Sequence, residues 1–155
     1  MQQDFMIEQT EDTQDGRFLT FVVDGEAFGV EISYVKEIIS IQPIVCMPDV
    51  PAYIKGIINL RGKIIPVIDM RLKFQKHPEE YTDRTCIIVV DTGDQFAGLI
   101  VDEVTEVQRI EQTDIIPPPE QIAGPDSCIK GICKANGQVN LLLDTAKLLK
   151  SEIVD

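Results

Sequence analysis

The segment Ile54-Lys55-Gly56-Ile57 returns later in the chain as Ile129-Lys130-Gly131-Ile132, and such self-similarity constrains the fold before any single motif does. Continuing along both copies at one spacing, Gly62 meets Gly137, Val67 meets Leu142 and Asp69 meets Asp144. A fainter echo precedes them. Val22-Val23-Asp24 leading to Phe28-Gly29-Val30 matches Val89-Val90-Asp91 leading to Phe96, Gly98 and Leu99, and Val35-Lys36-Glu37-Ile38 then matches Val104-Thr105-Glu106-Val107. In 155 residues there is room for two related units of about five strands each, too small to bury a core independently, so they are expected to pack an apolar face against each other.

The units read as β structure. The chain has 22 Ile and 14 Val against 9 Leu and 6 Ala, a balance favouring strands over helices. Gly and Pro divide it into strand-length runs: Phe18 to Val23, Ile57 to Leu60, Lys63 to Asp69, Cys86 to Asp91 and Val139 to Asp144. Asp24-Gly25, Thr92-Gly93-Asp94 and Asn136-Gly137 are hairpin turns by composition. Helix is expected only over Met70 to Phe74 and Thr145 to Lys150, after Asp69 and Asp144, which are placed to cap free amides. Met1 to Gly16, with five acids and no base, reads as a disordered acidic leader. Pro117-Pro118-Pro119 opens an irregular connection reaching about Ser127, since three consecutive residues without amide donors cannot form a ladder. The expected organisation is a leader over 1–16, a first subdomain over 17–80 and a second over 81–151, with exchange of strands between the halves left open.

A net charge of −12 repels nucleic acid and anionic membrane surfaces, and no apolar run is long enough to span a bilayer. Nothing in the sequence directs export, so a cytoplasmic location and reduced thiols at Cys46, Cys86, Cys128 and Cys133 are expected. With His77 as the only histidine, neither a metal site nor a hydrolytic triad has its parts, and no cofactor is implied. Asp91-Thr92-Gly93 has the three-residue signature of an aspartic protease and stands as the enzyme alternative, although its repeat partner, Asp24-Gly25-Glu26, lacks the threonine.

The natural binding site is the groove between the units, to which the two copies contribute Ile32 and Val35, and Val101 and Val104, after their first hairpins. Arg61 stands between Leu60 and Gly62 in an apolar stretch, where a charge must be exposed at a turn or paired; Glu37 is the candidate partner.

Gly56-Ile57-Ile58-Asn59-Leu60-Arg61-Gly62 followed by Ile65-Pro66-Val67-Ile68-Asp69 resembles the signature of the CheW-like family of bacterial chemotaxis coupling domains, and the similarity extends over about Arg17 to Ser151. The resemblance implies an all-β fold of two five-stranded SH3-like barrels with short helical segments. It further implies a non-enzymatic adaptor between the coiled-coil tips of transmembrane chemoreceptors and the regulatory domain of the histidine kinase CheA; an adaptor for a different receptor-linked kinase is the second reading. By the same resemblance Leu19, Ile32, Val35 and Val104 line a receptor groove, and Glu37, Ile38, Gly56, Asn59 and Arg61 serve receptor or kinase docking.

Overall fold

A computed structural model describes residues 16–121, 127–135 and 137–153. The leader before Gly16, part of the connection following the three prolines, and Asn136 of the last hairpin lie outside the described residues. Among the described residues ten strands form: β1 (Arg17–Val23), β2 (Glu26–Glu31), β3 (Val35–Ser40), β4 (Ile54–Leu60), β5 (Lys63–Asp69), β6 (Cys86–Asp91), β7 (Phe96–Val101), β8 (Glu103–Arg109), β9 (Ile129–Ala135) and β10 (Gln138–Leu143). Two helices follow their repeat-related aspartates, α1 (Met70–Lys73) and α2 (Thr145–Ile153). α1 ends near the predicted place, whereas α2 runs beyond Lys150.

The strands make two five-stranded sheets of the SH3-like barrel type, ordered β8-β1-β2-β10-β9 (the first barrel) and β3-β6-β7-β5-β4 (the second). Each barrel takes its hairpin from one repeat and its other three strands from the other repeat. Thus β1 pairs antiparallel with β8 and β2 parallel with β10, while β6 pairs antiparallel with β3 and β7 parallel with β5. The sequence division at 80/81 falls between β5 and β6, and both barrels draw on both sides of it.

Closure follows one rule in both barrels. The chain leaving an edge strand crosses to the opposite edge and bridges it, Val45 to Ile57 of β4 and Ile116 to Ile132 of β9. Gly56 makes the first closure possible. Its φ of +149° is strained for residues bearing a Cβ, and an added Cβ would lie 2.0 Å from the Val45 carbonyl oxygen.

Alternation along the strands sends one face of each hairpin into a barrel and the other into a core shared by both. The shared core includes Leu19, Phe21, Phe28, Val30, Ile88, Val90, Leu99 and Leu143. The second barrel's interior is wholly aliphatic among its buried members, with Ile58, Leu60, Ile65, Val67, Ile87, Val89 and Ile100. The first barrel's is smaller and partly polar: Phe18, Ile110, Cys133 and Leu142 share the strands with buried Thr20 and Asn140. Thr20 is satisfied there by the Thr105 hydroxyl at 2.6 Å and by its donation to the Glu106 carbonyl at 2.9 Å.

Local chemistry at the helix starts matches the sequence reading. Asp69 Oδ1 accepts from Arg71 N at 2.9 Å and Leu72 N at 3.4 Å, and Asp144 Oδ1 accepts from Lys147 N at 3.0 Å. Asp69 is buried and its second oxygen accepts the Tyr81 hydroxyl at 2.9 Å. Burial, reinforced by that carboxylate, pushes the Tyr81 hydroxyl well above its usual range, so it remains a donor.

Cutting the chain between residues 80 and 81 removes from each piece the strands that complete its barrels. Separately prepared pieces 17–80 and 81–151 are expected to give collapsed amide spectra and to regain dispersion when mixed. A piece with native-like dispersion alone would contradict the need for reciprocal pairing.

Candidate functional site

Arg61 and Gly62 form the two-residue turn between β4 and β5, with φ of +52° and +89°, the left-handed pair such a hairpin needs. The side chain of Asn59 locks the turn, its Oδ1 accepting Gly62 N at 2.8 Å. An arginine thereby occupies a position that glycine or asparagine fills more cheaply. Its guanidinium reaches Glu37 on β3, as the sequence suggested, and the two form an ion pair. Because β3 and β4 are opposite edges of the second sheet, this pair spans the barrel's seam. Arg61 is 68% exposed and Glu37 31%, so the pair adds little stability but leaves a guanidinium oriented at the surface.

Where the barrels meet, the apolar residues divide. Leu19 on β1, Ile32 in a 3₁₀ turn at Ile32–Tyr34, Val35 at the start of β3 and Val101 at the end of β7 are all buried in the shared core. Leu19 and Val35 lie on strand faces that the barrels press together, and Ile32 packs there from its turn. Val104 on β8, Ile38 on β3 and Tyr34 are only partly buried against that core. Each is an apolar edge of that core that reaches solvent, and Ile38 adjoins Glu37 along β3. Cys86 lies in contact with the Val104 backbone, and burial pushes its thiol up to about 11. Arg84 faces Glu103 across the same junction at 3.7 Å.

A second set of residues was not legible from sequence. Val45 and Ile64 are 62% and 57% exposed on the second barrel, and their repeat equivalents Ile116 and Val139 are 60% and 48% exposed on the first. The matched pairs come from the closure bridges and from the two related hairpins. Only the structure tells them apart from the many Ile and Val that alternation buries.

Also unforeseen is an ion cluster joining the barrels on one side. Arg71 of α1 donates through Nε and Nη2 to Asp102, at 3.0 and 2.8 Å, and through Nη1 to the His77 carbonyl at 2.9 Å. Asp102, between β7 and β8, also accepts Asp24 N at 2.7 Å, and Lys76 lies 2.9 Å from Glu26. The hydrogen bond to Asp102 holds the Arg71 guanidinium even more firmly protonated than usual.

Asp91 is engaged as a turn residue. Its Oδ1 accepts Gly93 N at 2.8 Å, Thr92 N donates to the Gln95 carbonyl at 3.0 Å, and Lys36 lies 3.9 Å away. This is the geometry of an Asx turn at a hairpin tip. Among the described residues, no three His, Cys, Asp or Glu side chains converge on a metal position, and no helix is long and apolar enough to cross a membrane.

Comparison with known proteins places residues 17–152 in the CheW-like domain family. The chemotaxis protein CheW of Helicobacter pylori is 35% identical over 136 residues, covering 88% of this chain and 82% of that one. Its counterpart in Klebsiella aerogenes is 33% identical over 142 residues, covering 91% and 86%. The crystal structure of the scaffolding protein TtCheW from Thermoanaerobacter tengcongensis superposes with a TM-score of 0.76 at 36% identity, over 83% of this chain and 88% of that chain.

The thiols provide a check on the junction. Cys46 is exposed, whereas Cys86 is half-buried and its thiolate appears only as pH rises toward about 11. At pH 8 iodoacetamide is therefore expected to label Cys46 first, with Cys86 lagging at least tenfold and its rate still climbing as pH approaches about 11. Peptide mapping by mass spectrometry reads both rates; equal labelling at pH 8 would mean that Cys86 does not sit packed beside Val104.

Proposed function

The chain belongs to the CheW-like domain family, a family of chemotaxis scaffolds, and on that premise we propose that it couples transmembrane chemoreceptors to the histidine kinase CheA. It does so in the cytoplasm, as an adaptor without a catalytic step, recruited to receptor arrays beneath the membrane. The observation carrying this reading is the repeated pair of exposed aliphatic residues, Val45 with Ile64 and Ile116 with Val139, which gives one small body a docking face on each barrel.

For the receptor, the solvent-reaching edge at Val104, Ile38 and Tyr34 provides apolar anchors of the kind that an amphipathic helix inserts between. Leu19, Ile32 and Val35 support that edge from the core beneath. The Arg61–Glu37 pair flanks it, and an oriented guanidinium suits a carboxylate-bearing helix face. Gly56 and Asn59 act through the backbone, one by letting the Val45 segment close on β4 and the other by holding the turn that aims Arg61.

For the kinase, an aliphatic face on a barrel suits a like barrel of the regulatory domain. Two such faces on one rigid body turn weak pairwise contacts into a lattice through effective concentration. Kinase output changes only if the adaptor binds the active and inactive assemblies unequally.

Isothermal titration against a receptor signalling-tip fragment and a kinase regulatory domain tests both arms. Arg61→Glu and Val104→Lys are expected to weaken the receptor fragment about tenfold or more, and Ile64→Lys to weaken the kinase domain by a similar factor, with thermal midpoints within a few degrees of the parent. Binding to neither partner by folded protein would overturn the coupling role.

A further inference from the structure

The two barrels are near-copies, and one place where the copy fails points to a binding site. Val67 of β5 sits opposite Gly98 of β7, and Leu142 of β10 opposite Gly29 of β2. Matching these registers sets Phe96 against Ala27 and Lys63 against Gln138; the first barrel's ladder runs on to Ala27 opposite Asn140, whereas the second's stops at Gly98 opposite Val67 and leaves Phe96 beyond it. In the second barrel the chain fills the space there itself. Lys63 Nζ lies 4.1 Å from the centroid of the Phe96 ring, and the ring packs on the aliphatic interior. In the first barrel the methyl group of Ala27 and the side chain of Gln138 do not fill it. An open notch of about 290 Å³ remains, lined by Gly25, Glu26, Ala27, Gln138, Val139 and Leu141.

We propose that this notch receives the ring of a phenylalanine or tyrosine carried by a protein partner, with a basic residue beside it. The second barrel is the template, since the matching chain positions there carry a phenyl ring with an ammonium group above it. Charge at the rim points the same way. Glu26 lines the notch, and its carboxylate, 2.9 Å from Lys76 Nζ, is an acidic group beside the recess for the partner's basic residue. An aromatic ring fits a small apolar recess at low entropic cost, and Val139, 48% exposed at the mouth, supplies the apolar lip. The inference rests on the chain acting as a docking scaffold and specifies what one of its faces selects.

The test uses the full chain labelled with ¹⁵N and three neutral-ended dipeptides, N-acetyl-Lys-Phe-amide, N-acetyl-Glu-Phe-amide and N-acetyl-Lys-Ala-amide. The Lys-Phe probe is expected to shift the amides of Gly25, Glu26, Ala27 and Val139 saturably. Glu-Phe should bind at least threefold more weakly, and Lys-Ala should give no saturable shift. Ala27→Phe combined with Gln138→Lys, which installs the second barrel's own plug, should abolish the shifts. Val139→Lys, a surface change that leaves the interior intact, should weaken them at least fivefold. Absence of saturable shifts, equal shifts with Lys-Ala, or unchanged binding in both variants would overturn the proposal. No kinase or receptor enters this titration, so the notch and the coupling role can fail separately.

Discussion

Reciprocal pairing of strands is the constraint on which the rest of the structure depends. Each hairpin, β1–β2 or β6–β7, finds its neighbours in the opposite repeat, so neither repeat can satisfy its backbone donors and acceptors alone. The shared core follows from this. Leu19, Val35, Val90 and Leu99 face one another because the exchange brings the outer faces of both hairpins together. A small chain thus gains one continuous apolar interior in place of two marginal ones. The same exchange places β3 and β8 beside the junction, which is why Ile38 and Val104 reach solvent as neighbours of that core.

Duplication then supplies a matched pair of exposed aliphatic residues on each barrel, and divergence makes the barrels different. The second barrel is filled with aliphatic side chains and plugged by Phe96, whereas the first holds Thr20, Asn140 and Cys133 in its interior and leaves its notch open. The ion cluster around Arg71 is likewise one-sided, tying α1 to the β1–β2 turn and to Asp102. Ala146 stands where the repeat would place its counterpart. A scaffold that must hold distinct neighbours needs this asymmetry, because equivalent faces select equivalent partners.

Much of the architecture was legible because it is local. β-branched enrichment, the Asp24-Gly25 turn and the capping positions of Asp69 and Asp144 are statements about neighbours in sequence, and the structure has strands, turn and caps there. The Arg61–Glu37 pair was found by asking where a charge inside an apolar run must go, a question that burial cost poses to any fold. The exposed aliphatic pairs and the notch gave no such signal. Ile64 looks like Ile65 in sequence, yet one is 57% exposed and the other fully buried. Ile32 and Val35 were placed at a groove from the repeat and Leu19 from the family resemblance, and neither signal says how deeply an apolar residue is covered.

The amino-acid sequence by itself determined the β character, the twofold repeat, the family and the need for Arg61 to be exposed or paired. Only the tertiary structure decided which strands pair, which of the equivalent valines and isoleucines reach solvent, and that a notch stays open beside Ala27. The physical reason is range. Turn conformation, capping and strand preference act over a few residues of chain, whereas exposure and cavity shape depend on contacts between segments as distant as β2 and β10, and those exist only once the halves have exchanged strands.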